Sequence, residues 1–304
     1  MAELEVLATG PLTTVQDLGR PGRAHLGVGR SGAADRGALR LGNRLLANPE
    51  GAAALEVTLG GLRVRAHGHL IVALTGAPCP ATVVEASGRG RVIGHQSVEH
   101  LPDGATLWLG VPVRGLRTYL AVRGGLAVPE VLGSRSTDTL AGLGPERPAP
   151  GSVLPVGPPP PTQPTVDLAP LPWPDPGELV LELLPGPRDD WFRPGAMRAL
   201  CAEPYEVTAA SDRVGIRLRG PRLERVRDGE LPSEGMVPGA LQVPPSGRPT
   251  LFLADHPVTG GYPVIAVVRE RDVDRAAQAR PGQRVRFRPS AAARTAATSR
   301  LDPP

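Results

Sequence analysis

About one position in four along this chain is glycine or proline, 38 of the first and 37 of the second among 304 residues. Proline removes a backbone donor and glycine weakens helices and strands from inside, so this much punctuation excludes long helices. It favours short strands joined by tight turns. The punctuation is densest from Pro155 to Gly177, PVGPPPPTQPTVDLAPLPWPDPG, which is almost uncharged and has no hydrophobic period. That stretch reads as an extended linker. It separates an N-terminal domain over 1–154 from a C-terminal domain over 178–290, and the tail over 291–304 reads as disordered.

Both halves carry apolar runs of strand length. In the first they fall at Leu4–Leu7, Ala54–Leu59, Leu62–Ala66, Leu70–Leu74, Thr82–Glu85, Thr106–Leu109 and Arg117–Val122. In the second they fall at Leu179–Leu184, Tyr205–Ala209, Gly239–Val243, Thr250–Ala254, Val264–Val268 and Arg284–Arg288. Glycine, proline and aspartate turns bound them, as in an all-β barrel or sandwich. One helix is expected from Asp35, a capping residue, to Ala47, where Asn48-Pro49 stops it. Short helices fit Gly195–Leu200 and Asp272–Ala279. The fold class is mainly β with a few short helices.

All 34 basic residues are arginine. A lysine-free chain holds no P-loop lysine, no Schiff-base lysine and no attachment point for biotin or a lipoyl group. The 30 acidic residues lie among the basic ones, leaving a net charge of +4 with no polybasic arm. With 3% aromatics for stacking, a nucleic-acid partner is not expected. No apolar run approaches about 18 residues and no signal peptide follows MAELEV, so the expectation is a cytoplasmic chain with no membrane partner. Cys79 and Cys201 match no metal-ligand spacing, and no metal site is expected.

Gly27-Val28-Gly29-Arg30-Ser31-Gly32 satisfies G-x-G-x-x-G and leads into the expected helix. A loop precedes it where a dinucleotide fold needs a buried strand, so that reading is set aside; an anion at the helix N-terminus stays open. Arg36, Arg40 and Arg44 form a stripe on the helix, most simply a solvated face. His67 and His69 alternate on one strand but have no third ligand in sequence. Cys79, between two prolines, has no histidine assignable to it and reads as a structural thiol.

Denser signals are polar residues beside glycines. They are Thr14–Arg20, Gly124-Gly125 with Leu132–Thr137, Ser211–Gly215, Gln242–Pro245 and Asp255–Pro263. Glycine pairs let backbone approach a ligand or another strand, and arginine clamps carboxylate or phosphate. The alternative is that they are barrel corners held by local aspartate–arginine pairs.

In this order the clusters resemble the KipA family, also called allophanate hydrolase subunit 2, a family of 5-oxoprolinase subunits. The resemblance runs from Leu4 to Arg288. It rests on TTVQDLGRPG, SGAADRGALRLGNRLLAN, LEVTLGG, LTGA, YLAVRGG and LGSRST, then on SDRVGIRL, GALQVPPSGRP, ADHPVTGGYP and AQARPGQRVRF. Val258 stands where the family usually has a second threonine, and Val214 where methionine is common. The resemblance implies two cyclophilin-like β-barrel domains. It implies a KipI-like partner and a LamB/YcsF-like subunit, which together form an ATP-dependent 5-oxoprolinase converting 5-oxo-L-proline to L-glutamate. A second implied activity is carboxyl transfer from carboxybiotin, supplied by another protein, to urea or another amide. A third is a non-catalytic regulator binding a KipI-like kinase inhibitor.

Either chemistry acts on a small amide and needs oxyanion donors and an anion clamp. Arg20, Arg123, Arg135 and Arg213 are the candidate anion contacts. Gln16, Ser134, Ser136, Thr137, Gln242 and Thr259 are polar positioners, while Asp17, Asp212 and Asp255 would orient arginines or act as base. Gly124, Gly125, Gly260, Gly261 and Tyr262 complete the expected substrate-binding set, with Arg135, Arg213, Asp212 and Asp255 at its catalytic centre.

Overall fold

The computed structural model describes residues 2–227, 229 and 231–290. The tail over 291–304 expected from sequence lies outside the described residues. Those described fall into two compact units, 2–22 with 30–174 and 23–29 with 175–290.

The first unit contributes β1 (Glu3–Thr9), β2 (Leu12–Gln16), β3 (Ala54–Thr58), β4 (Leu62–His67), β5 (Leu70–Gly76) and β6 (Ala81–Val84). It continues with β7 (Gly90–Val92), β8 (Val98–Leu101), β9 (Thr106–Leu109), β10 (Arg117–Val122) and β11 (Val153–Pro155), and one helix, α1 (Arg36–Leu45). The strands form two sheets, β11-β1-β4-β9-β6-β7 and β2-β3-β10-β5-β8. One apolar core joins them: Leu4, Val64 and Leu107 from the first meet Leu55, Leu74 and Leu120 from the second.

Strand period explains the next layer. In β10, Leu120 and Val122 enter that core, while Tyr119 and Ala121 point the other way and pack under Leu39, Leu41 and Leu45 of α1. The five-stranded sheet is thus buried on both faces, which is why every residue of β10 is buried. Asp35 caps α1, its Oδ1 accepting from the Ala38 N–H at 2.9 Å.

The second unit contributes β12 (Leu179–Pro185), β13 (Tyr205–Val207), β14 (Gly215–Arg219), β15 (Glu234–Gly235), β16 (Ala240–Gln242) and β17 (Thr250–Phe252). It ends with β18 (Thr259–Gly260), β19 (Val264–Val268) and β20 (Arg284–Pro289), and includes helices α2 (Ala196–Ala202) and α3 (Glu270–Ala276). Seven of these strands close into a barrel in the order β12-β19-β16-β17-β14-β13-β20. The β12–β20 pair is parallel, and β15 with β18 forms a separate ribbon. Closure removes exposed sheet edges.

The mainly β class with a few short helices holds, but only the second unit is a closed barrel; the first is two sheets. The proline-rich segment is also more tightly held than an extended linker. Leu168 bridges to Ser97, Val98 N–H donates to Asp167 O at 2.9 Å, and Ala169 N–H donates to Gln96 O at 2.8 Å. Residues 167–171 therefore cover the β8 edge of the five-stranded sheet. Among the described residues no helix is long and apolar enough to cross a membrane.

Candidate functional site

Strand β2 delivers Gln16 and Asp17 to the end of the five-stranded sheet, and the loop over 131–138 meets them there. Asp17 is the hub. Its Oδ1 accepts from the Gly19 N–H and the Ser134 hydroxyl, both at 2.7 Å, and from the Ser136 hydroxyl. Its Oδ2 accepts from the Arg135 N–H at 2.6 Å. The Asp17 N–H returns a bond to Ser136 Oγ at 3.1 Å, and Thr137 N–H donates to Val15 O at 2.9 Å. Charge-assisted bonds of this kind run about twice as strong as neutral ones, so one carboxylate fixes two loops.

Arg20 and Gln16 are buried beside this hub. Arg20 donates to Ser136 O and, from Nε, to Val131 O at 3.3 Å. Gln16 Nε2 donates to Thr137 O at 2.8 Å and to Thr14 Oγ1 at 3.0 Å. Arg20 Nη1 and Gln16 Oε1 are buried without a hydrogen-bond partner among the described residues, one a donor and the other an acceptor. The Arg135 guanidinium is partly exposed, with Nε on Val128 O at 2.7 Å and Nη1 on Glu130 at 2.7 Å. Gly19 takes a left-handed φ of 82°, and a Cβ there would lie 2.4 Å from Arg30 O, so the crossing of residues 30–32 requires glycine.

Seven expected residues thus meet in one place: Gln16, Asp17, Arg20, Ser134, Arg135, Ser136 and Thr137. Arg123, Gly124 and Gly125 do other work. The Arg123 guanidinium donates to Leu46 O at 2.9 Å, Pro160 O at 2.6 Å and Thr162 O at 2.9 Å, which pins the proline-rich segment. A Cβ on Gly124 would lie 2.2 Å from Gly157 O, so this glycine pair admits neighbouring backbone rather than a ligand. Gly125 N–H closes a turn onto Val122 O at 2.8 Å.

In the second unit Arg213 and Asp255 form a two-pronged pair, Nε to Oδ2 at 2.9 Å and Nη2 to Oδ1 at 3.0 Å, with both side chains at most 1% exposed. Asp212 shapes a turn, its Oδ1 accepting from Val214 N–H at 2.8 Å and Gly215 N–H at 3.0 Å. Both arrangements bond within the second unit. Gln242 Nε2 reaches Tyr262 O at 3.3 Å, Thr259 and Gly260 lie in the β15–β18 ribbon, and Gly261 O accepts from Leu231 N–H at 3.0 Å.

The helix N-terminus is not an open anion site. Just before it, Ala34 N–H donates to Glu56 Oε2 at 2.9 Å and Asp35 N–H to the Tyr119 hydroxyl at 2.8 Å, and in its first turn Ala38 N–H donates to Asp35 Oδ1 at 2.9 Å, so the chain's own side chains take these donors. Burial, with the Glu56 carboxylate alongside, holds the Tyr119 hydroxyl protonated far above the usual phenol range. Arg40 and Arg44 of the expected bare stripe both lie by Glu50, at 3.5 and 3.1 Å, and Arg36 is buried. His67 bonds Glu5 at 2.9 Å.

Cys79 does have a histidine neighbour, His95, whose Nε2 lies 3.6 Å from Sγ. Burial pushes the thiol up to about 11 and pulls the imidazole below its ordinary value, so both stay neutral near pH 7. That is the reverse of a thiolate–imidazolium nucleophile. Neither this contact nor the Glu56–Tyr119 bond was expected from sequence; the period-2 placement of Glu56 on the helix side of β3 was the available sign.

Two β-rich units, one closed into a barrel, place this chain in the fold class of two solved relatives. It superposes on the crystal structure of TTHA0988 with a TM-score of 0.84 at 38% identity, covering 95% of this chain and 55% of that one. It superposes on the urea amidolyase of K. lactis with a TM-score of 0.87 at 30% identity, over 94% of this chain and 18% of that one. The chain therefore spans about half of TTHA0988. Residues 26–289 match the family described as carboxyltransferase domain, subdomain A and B, and the chain belongs to that family. A 5-oxoprolinase subunit of Escherichia coli K12 is 38% identical over 289 residues, 93% of this chain and 90% of the relative.

Proposed function

We propose that this chain is a subunit of an ATP-dependent 5-oxoprolinase, a hydrolase complex that opens 5-oxo-L-proline to L-glutamate. The assignment is carried by the 38% identity to the E. coli protein over most of both chains. The first-unit cluster is consistent with that substrate class. A lactam carries a carbonyl acceptor and an N–H donor, and the cluster holds a spare donor, Arg20 Nη1, and a spare acceptor, Gln16 Oε1. The half-exposed Arg135 would clamp the substrate carboxylate.

The chain's residues do not suit a nucleotide phosphate site of the P-loop kind. There is no lysine, and the one helix preceded by a glycine-rich loop already faces Glu56 and Asp35. ATP is accordingly assigned to a companion, KipI-like or LamB/YcsF-like. The reading sets the complex in the cytoplasm, where the free thiols of Cys79 and Cys201 would stay reduced.

Co-expression with both companions, followed by glutamate and ADP release from 5-oxoproline, tests the assignment. Turnover that needs all three chains is expected, and Gln16→Leu should abolish it while leaving the complex assembled. A second reading, carboxyl transfer to urea or a related amide, is favoured by the family description and the K. lactis superposition. It needs carboxybiotin on another protein, because no lysine here can carry biotin. Urea carboxylation without 5-oxoproline turnover would select it. Tight companion binding with neither turnover would leave the regulatory role.

A further inference from the structure

Residues 30–35 form a third piece of chain against the Asp17 cluster, beside β2 and the loop over 131–138. Arg20 N–H donates to Arg30 O at 2.8 Å, and the Arg30 and Ser31 carbonyls lie where a Cβ on Gly19 would stand. Ser31 is fully buried and holds a left-handed φ of 53°, with its hydroxyl 3.5 Å from Thr137 O. Gln16 Nε2 donates to that same carbonyl. A non-glycine residue keeps such a conformation only where its surroundings fix it.

Three consecutive amides do the fixing. Ala33 N–H donates to Asp17 O at 2.9 Å, Ala34 N–H to Glu56 Oε2 at 2.9 Å, and Asp35 N–H to the Tyr119 hydroxyl at 2.8 Å. The Tyr119 hydroxyl donates in turn to Glu56 Oε2 at 2.7 Å. Strand register sets these acceptors side by side, because Glu56 of β3 stands opposite Tyr119 of β10 and, on its other flank, opposite Thr14 of β2. Thr14 Oγ1 accepts from Gln16 Nε2 at 3.0 Å. One buried polar row thus runs from the Gln16 amide to the turn before α1. The Glu56 carboxylate is 1% exposed, with Arg117 Nε 3.5 Å from its Oε1. A buried ion pair is a costly way to pack a sheet under a helix, since apolar residues of like volume serve as well or better. The bonds it makes instead define where residues 33–35 lie.

We propose that Glu56 and Tyr119 are positioning residues for the Gln16–Asp17 cluster, holding residues 33–35 so that Ser31 and the Asp17 peptide keep their places in it. The inference rests on the reading of that cluster as the site of 5-oxoproline turnover. Both side chains act through the backbone over 33–35.

The test is KM and kcat for 5-oxoproline, per folded complex with co-expressed companions, in Tyr119→Phe, Glu56→Gln and Thr75→Val. Thr75 supplies the control. It stands opposite Tyr119 on β5, is equally buried, and donates to Ala38 O at 2.7 Å, so it holds α1 without touching the amides over 33–35. Tyr119→Phe should raise KM about 10-fold and Glu56→Gln at least as much, with kcat within about threefold of wild type. Amide exchange at Ala33, Ala34 and Asp35 should quicken in both. Thr75→Val should lower the melting temperature and leave KM unchanged. If Glu56→Gln does not fold, Tyr119→Phe, which loses a single oxygen, decides. A wild-type KM in folded Tyr119→Phe, or a KM raised equally by Thr75→Val, overturns the positioning role and leaves the 5-oxoprolinase reading intact. A wild-type complex that turns over no 5-oxoproline overturns both.

Discussion

Asp17 in the first unit and Asp255 in the second are both buried aspartates beside an arginine, and they are satisfied in opposite ways. Asp255 spends both oxygens on the Arg213 guanidinium. Asp17 takes backbone N–H groups and serine hydroxyls from two loops, and leaves Arg20 to bond carbonyls with one nitrogen unmatched. The Arg213–Asp255 pair is buried and two-pronged. A carboxylate that organises loops and leaves a donor and an acceptor unspent has capacity for a ligand. The same residue types thus bond in two patterns, and the proposed function places the site at the first-unit one.

The largest effect should come from breaking the closed pair. Arg213→Ala strands a buried carboxylate and is expected to cost about 3–5 kcal/mol in urea unfolding. The double variant Arg213→Met with Asp255→Leu should recover most of that. Equal losses in single and double variants would mean the pair is not a self-contained fastening.

Asp17→Ala removes the acceptor for two hydroxyls and two N–H groups, and should cost about 3 kcal/mol. It should also speed amide exchange at Gly19 and Arg135 together, since one carboxylate holds both. Exchange that quickens at only one of them would remove Asp17 from its role as hub.

A third, smaller effect is set by pH. The Cys79 thiol titrates at about 11 in the fold against an ordinary 9.0. Below pH 9 folded and unfolded chains both hold the proton; between 9 and 11 only the unfolded chain loses it, so stability falls as pH rises. The loss from this group is about 2–3 kcal/mol. Cys79→Ala should flatten the stability curve across that window relative to wild type, and an identical slope would refute the burial of the thiol.

The smallest stability effect is expected at Arg135, whose side chain is partly exposed and paired with an exposed glutamate. Arg135→Ala should change unfolding by less than about 1 kcal/mol while abolishing turnover. A large stability loss with normal turnover would make Arg135 a fastening like Arg213.

Much of this was legible in the residues. Arg117–Val122 and Val264–Val268 were expected as strands at the observed limits, because continuous β-branched and apolar runs between turns leave little choice. Strand β2 was not expected, since Leu12–Gln16 alternates weakly and its threonines and glutamine read as a polar loop. The polar clusters were found, but their division was not. Arg123 and Arg213 sit beside glycines just as Arg20 and Arg135 do. Only the long-range partners, Pro160 O for one and Asp255 for the other, distinguish these arginines from those around Asp17. Such partners are set by topology, which local pattern does not encode.

The most direct test compares turnover per folded complex in three forms: Gln16→Leu, Arg135→Ala, and the Arg213→Met with Asp255→Leu pair. If the first-unit cluster is the working site, 5-oxoproline hydrolysis is lost in the first two and kept in the third. Hydrolysis that survives in the first two and disappears in the third would contradict the account.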